Sequence, residues 1–199
     1  MTIVIVKEAA VASETKTRMV EGAARLLAMQ GLQGTSFSEV LELTGAPRGS
    51  VYHHFPEGKD QLIAAAIDLA GSRALQAVDD WAGRTPVQVT EAFLDLWRSV
   101  LVRSDLRAGC AVLAVTVATD SPDLLAAAAD VFRSWRLRLA ALFETGGLQP
   151  QAAARFAATL VAASEGAVVL SRAEQSLEPF ELVAAELVES AGAANAAPS

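Results

Sequence analysis

The chain has 199 residues, 52% of them hydrophobic, and a formal net charge of −7. This supplies enough apolar material for one large or two small cores, while the acidity argues against a general polyanion binder. One cysteine excludes an internal disulfide and fits a reducing cytoplasm. No apolar run reaches the roughly 18 residues that span a bilayer, and the stretch from Ile3 to Val6 is too short for a signal sequence and lacks a basic flank.

In chain order, residues 1–12 read as a mobile N-terminal arm, in which Lys7 offers only its charge toward a groove or a partner. A first helix is expected from Ser13 or Glu14 to Gln30. Met19, Ala23, Leu26 and Leu27 form its apolar stripe, Lys16 and Arg18 lie on its solvated side, and Gly31 ends it.

The next stretch, Thr35 to Lys59, is the most informative. Ser36 and Glu39 make an S-x-x-E capping box. Phe37, Val40, Leu41 and Thr44 recur at helical spacing, and Gly45 is placed for a left-handed end. Pro47 stands at or beside the first position of a second short helix, expected from Arg48 to Phe55 and stopped before Pro56. Two helices of about two turns joined by a Gly-containing turn fit a helix-turn-helix. At about 100° per residue, Val51 and Phe55 share an inward face. Gly49, Ser50 and His53 lie opposite, with Arg48 and Tyr52 on the flanks. A guanidinium, a bare backbone, a hydroxyl, a phenol and an imidazole suit phosphate oxygens and base edges in a major groove.

The string G-A-P-R-G-S-V-Y-H-H-F, followed shortly by Lys59, resembles the recognition segment of the TetR family of bacterial transcriptional repressors, over about residues 14–74. The stretch G-C-A-V-L-A-V-T-V from Gly109 resembles the LmrA/YxaF-like branch. Two departures stand out: Pro47 occupies a position where many members carry a serine cap, and the spacer P-E-G before Lys59 is one residue longer than the common form. The candidate DNA-contacting set is Thr35, Ser36, Arg48, Gly49, Ser50, Tyr52, His53, His54 and Lys59, with Lys59 expected to clamp a backbone phosphate from the first turn of the following helix.

That long helix carries Leu62, Ile63, Ala66, Ile67 and Ala70 inward and extends to about Ala82. Thr85-Pro86 starts another, to about Ser104, with Val89, Phe93, Leu96, Trp97, Val100 and Leu101 apolar. Cys110 to Thr119 is nearly uncharged and reads as a buried helix, although its β-branched content alone would also suit a strand. Ser121-Pro122 starts a helix ending at Gly146-Gly147. Pro150 opens one to about Ala173, and the last begins between Leu177 and Pro179 and ends near Ala191. The tail from Ala193 is polar and small.

The expectation is therefore an all-α chain of about nine helices. A three-helix helix-turn-helix domain (13–74) follows the arm (1–12), and a helical effector-binding and dimerisation domain (75–199) completes it. Residues 1–60 carry a net charge of −1 and residues 61–199 of −6, so the acidity sits away from the DNA-binding end.

In the last two helices, Phe156, Leu160, Ala163, Ala167 and Leu170, with Leu182, Val183 and Leu187, are expected at a homodimer interface; a two-fold assembly suits a palindromic operator. Trp97, Cys110, Thr116 and Trp135 are expected around an unidentified small-molecule effector. Thr116 is chosen because a hydroxyl in an apolar stretch needs a partner. Arg133, Arg136 and Arg138 read as solvated or paired.

His53 and His54 are about 100° apart on a helix and have no Cys/His/Asp/Glu cluster of zinc spacing beside them, so no metal or cofactor is expected. The chain carries no G-x-S-x-G, P-loop or G-x-G-x-x-G. The reading is a cytoplasmic repressor, homodimeric and released from DNA by an apolar or aromatic ligand, with no membrane partner. A ligand-independent activator or architectural DNA-binding protein is the alternative, and a helical enzyme the third reading.

Overall fold

A computed structural model describes the backbone of residues 2–196 and the side chains of residues 14–194. The described residues form nine α-helices: α1 (Thr2–Gln30), α2 (Phe37–Thr44), α3 (Ser50–His54), α4 (Lys59–Asp79), α5 (Pro86–Arg103), α6 (Ala111–Thr116), α7 (Pro122–Thr145), α8 (Pro150–Glu174) and α9 (Glu178–Ala196). The described chain is all-helical, as expected. The helix of α1 begins well before Ser13, within the stretch expected as an arm; Ala9, Ala10 and Ala12 favour helix and nothing between Thr2 and Ser13 breaks it. The side chain of Lys7 lies outside the described ones.

The chain divides into two compact units: residues 1–70 with 111–129, and residues 71–110 with 130–199. These units differ from the expected division at 74/75 in grouping residues 111–129 with the first. That segment belongs there because α6 packs on α1, a contact that no local pattern announces.

In the first unit, α1 presents Met19, Ala23 and Leu27 to a core shared with Val40 of α2, Phe55 at the end of α3, and Leu62, Ile63, Ala66 and Ile67 of α4, all at most 1% exposed. Burying each of the large side chains stabilises the unit by about 1.5–3 kcal/mol before entropy is charged. The α6 segment is shorter than expected. Its helix ends at Thr116, and Val117, expected within a buried helix, is 74% exposed in the turn that follows.

In the second unit, α8 packs on α5 and α9, and α5 packs on α9. Val89, Phe93, Leu94 and Leu101 are buried, as are Leu139, Phe143, Ala157, Leu160 and Phe180. Phe143 and Phe156 stack edge to face at 5.0 Å. The N-terminus of α5 is closed by a capping box between Thr85 and Gln88, with Pro86 following the cap. Arg98 of α5 reaches Glu181 of α9 with both Nε and Nη2, at 2.6 and 2.9 Å. At Gly71 a Cβ would stand 2.7 Å from Val131, so the glycine permits α4 and α7 to approach here. The Gly71 carbonyl accepts the Trp135 indole N–H at 3.1 Å.

By length and composition, α8 is apolar enough to cross a bilayer, even though Arg155, Glu165 and Arg172 divide it into shorter apolar runs. Its packing on two other helices and its buried Ser164, Glu165 and Ser171 make it a core helix of this unit.

Candidate nucleic-acid interface

The site starts from local hydrogen bonding. Ser36 accepts the Glu39 N–H on its Oγ (3.2 Å), and the Glu39 carboxylate accepts the Ser36 N–H (2.8 Å), so the expected capping box forms. Thr44 donates its hydroxyl to the Val40 carbonyl at 2.7 Å. Gly45 ends α2 at φ +65°, a left-handed value that favours glycine, and its N–H returns to the Leu41 carbonyl. The chain then turns through Pro47. The Ser50 N–H donates to the Pro47 carbonyl at 3.0 Å, which makes residues 47–50 a turn and delays α3 to Ser50 rather than Arg48.

Val51 and Phe55, 2% and 0% exposed, anchor α3 as expected. Arg48, Gly49, Tyr52 and His53 are exposed, and Ser50 is half-buried. A Cβ at Gly49 would meet nothing within 4 Å, so the backbone there is open to an approaching surface. Tyr52 is 76% exposed, with its ring 6.4 Å from that of Phe37. Together Phe37, Leu41, Arg48, Val51 and Tyr52 line a groove between α2 and α3. The Ser50 hydroxyl donates to the Pro47 carbonyl at 2.6 Å, leaving oxygen lone pairs as acceptors. Lys16 lies over the Phe55 ring at 5.9 Å. His54, half-buried, titrates below the ordinary histidine value, first because of burial and then through the charges of His53 and Lys16.

Three members of the expected set also hold the local structure. Thr35 is 1% exposed and its hydroxyl donates to the Gly31 carbonyl at 2.8 Å, so it fixes the α1–α2 loop. Ser36 uses its hydroxyl as the cap. Lys59 donates to the Leu32 carbonyl at 3.1 Å, which ties the start of α4 to that same loop. An ammonium has three donors, so this bond does not exhaust Lys59.

The other expected residues are more scattered. Trp97, Cys110 and Trp135 lie in the second unit and Thr116 in the first. Thr116 needs no ligand to satisfy it: its hydroxyl donates to the Val112 carbonyl one turn back, at 2.8 Å. Trp97 is half-buried, and Cys110 and Trp135 are buried. Of the expected interface, Leu160, Ala167 and Leu187 are 0%, 1% and 4% exposed and belong to the core of their own unit. Phe156, Ala163 and Val183 are half-buried and line a 440 Å³ groove between α8 and α9. Leu170 and Leu182 are 49% and 66% exposed, joined on α8 by Val169 at 48%.

Sequence reasoning missed Glu165. It is 7% exposed, and burial raises its carboxyl to about 7, an effect that the Cys110 thiol partly offsets. The available signal was its position as the single charged residue between Phe156 and Ser171.

A capped helix, a glycine-ended turn and a second helix with an exposed polar face define a helix-turn-helix module of the DNA-binding class. The family model described as bacterial regulatory proteins, tetR family, matches residues 19–66, and that of the transcriptional regulator LmrA/YxaF-like C-terminal domain matches residues 86–186. A helix-turn-helix transcriptional regulator of Mycobacterium tuberculosis is 37% identical over 86% of this chain and 91% of its own. LmrA of Bacillus subtilis is 26% identical over 84% and 91%. The crystal structure of a TetR regulator from Chloroflexus aurantiacus is similar at a TM-score of 0.75, with 31% identity over 90% of this chain and 95% of that one. The chain belongs to the TetR family of bacterial transcriptional regulators, with a C-terminal region of the LmrA/YxaF-like type. It is a DNA-binding regulator of a family that consists of regulators rather than enzymes.

Proposed function

We propose that this regulator is a cytoplasmic homodimeric repressor that occupies a palindromic operator and leaves it when a small apolar or aromatic ligand binds the second unit. The observation that carries the reading is the exposed set Arg48, Tyr52 and His53 around the open Gly49 backbone, held on a capped two-helix scaffold. Arg48 and His53 would read bases or adjacent phosphates; Tyr52 would fix register on the backbone. Support for the dimer comes from the apolar exposure of Val169, Leu170 and Leu182 on α8 and α9. Two-fold protein symmetry would place two recognition helices about 34–36 Å apart, or a multiple of that, on a palindrome.

Release follows if the ligand prefers a protomer arrangement that changes this spacing. The chain runs in α4 from Lys59, just after the recognition helix, past Gly71 into the second unit. A hundredfold release needs about 2.7 kcal/mol of differential affinity between the two states.

The test is fluorescence anisotropy on the inverted repeat upstream of its own gene. The expected result is tight, steeply salt-dependent binding by a dimer, abolished by Gly49→Leu with helix content unchanged, since the site has room for a side chain. Normal operator affinity in Gly49→Leu, or full affinity from a monomer in sedimentation, overturns the reading. Ligand affinity measured with and without saturating operator must differ by the same factor as operator affinity with and without ligand.

A further inference from the structure

Between Phe156 and Ser171, α8 is a run of small and apolar residues broken by one charged side chain, Glu165. That side chain is 7% exposed, and neither carboxyl oxygen has a hydrogen-bond partner of good geometry. The adjacent Ser164 hydroxyl, in a residue 0% exposed, is likewise unpartnered. One helical turn to either side of Glu165 stand Val161 and Val168, 5% and 1% exposed. Its polar company is the buried Cys110 thiol, a weak donor.

A buried carboxyl of this kind is costly, and native proteins pair such groups almost without exception. The nearest cation on the same helix is Arg172, two turns away and about 10 Å along the axis. Its guanidinium lies against the backbone at Gly109, where a Cβ would stand 2.8 Å from Nη1. The second unit thus holds an acid whose charge is not compensated by a cation on its own helix.

We propose that Glu165 is the polar anchor of a ligand site in the second unit, and that the ligand carries a protonated amine on an otherwise apolar or aromatic body. A cation compensates the charge and can donate to both oxygens, whereas a neutral hydroxyl satisfies one and an anion is repelled. The valines flanking Glu165 and the buried Cys110 suit an apolar body. The inference rests on the reading that the second unit takes a small molecule, and it names the chemistry of that molecule. In the free protein Glu165 titrates at about 7, raised by burial and partly offset by the thiol. An ammonium seated beside it favours the ionised form, so amine binding strengthens as the pH rises through this range.

The experiment uses the full chain without DNA and three naphthyl probes of one shape: 2-naphthylmethylamine, 2-naphthalenemethanol and 2-naphthoate. Calorimetry on the wild type should find the amine bound about tenfold tighter than the alcohol, as a charge-assisted bond predicts, and the naphthoate weakest. Glu165→Gln should erase the preference for the amine over the alcohol. Equal affinity for amine and alcohol, no binding of the amine at millimolar concentration, or a preference that survives Glu165→Gln overturns the proposal. If the variant does not fold, the wild type decides alone. Affinity for the amine that rises relative to the alcohol between pH 5.5 and 8.5 supports the site, and a flat ratio overturns it. Operator release is read separately: an amine held through Glu165 that leaves DNA binding untouched would sink the release mechanism and leave this site standing.

Discussion

The α2–α3 segment and the α8 helix are equally visible as helices in the sequence, yet only the first reveals which way its side chains face. Every boundary of α2–α3 is marked by a residue with a partner within a few positions: Ser36 with Glu39, Thr44 with Val40, the Gly45 N–H with Leu41 and the Ser50 N–H with Pro47. Polar residues on one side and Val40, Val51 and Phe55 on the other leave one way to bury the pair. The 25-residue α8 has no such contrast. It is alanine-rich and apolar almost all round, so by sequence Leu160 and Ala167 look as available to a partner as Phe156 and Leu170. The difference teaches that hydrophobicity announces a buried helix, whereas only a break in hydrophobicity tells which face is buried.

The sharpest way to break this comparison is a charge on each side of α8. Leu160→Glu puts an unpaired carboxylate into the core and should cost several kcal/mol, on the order of 3–5, with little folded protein recovered. Leu170→Glu, at a position 49% exposed, should leave thermal stability within about 1 kcal/mol and break the proposed dimer, which sedimentation reads. Two variants of equal stability would mean that the two faces of α8 have been misassigned.

A large effect of a different kind is expected in the first unit. Phe55→Ala removes a ring that is 0% exposed and should cost about 3–5 kcal/mol in thermal or urea unfolding, with operator binding lost as α3 loses its anchor.

Glu165 gives the second unit a pH signature. Its carboxyl is raised to about 7 from an ordinary value of 4.5. Between these values the folded state holds a proton that the unfolded state has released, so stability is highest below about 4.5 on this account and declines until the pH passes 7. Glu165→Gln should abolish that decline and raise stability at pH 8 by about 1–3 kcal/mol, as urea midpoints at pH 5 and pH 8 will show. A decline unchanged in the variant would assign it to another group.

The smallest effect is the cap. Ser36→Ala loses the bond to the Glu39 N–H and should lower stability by about 1 kcal/mol. Operator affinity should follow only as far as α2 frays. A far greater loss of DNA binding, at equal stability, would give Ser36 a direct contact with DNA in addition to the cap.

The amino-acid sequence by itself determined the helical class, the capping box, the left-handed glycine, the inward Val51 and Phe55, and the exposed Arg48, Gly49, Tyr52 and His53. These follow from hydrogen bonds and periodicities that close within a few residues, so the local chain contains all the information they need. For Thr35, Lys59 and Thr116 the sequence is compatible with two outcomes. Thr35 and Lys59 turn to the loop carbonyls of Gly31 and Leu32, and Thr116 to the carbonyl one turn behind it. Other features depend on neighbours remote in sequence. The packing of α6 on α1, the split of α8 into a core face and an open face, and the burial of Glu165 beside Cys110 are such cases. They were decided by the tertiary structure, because burial is a property of what packs against a residue, and an apolar helix lets several neighbours compete for the same surface.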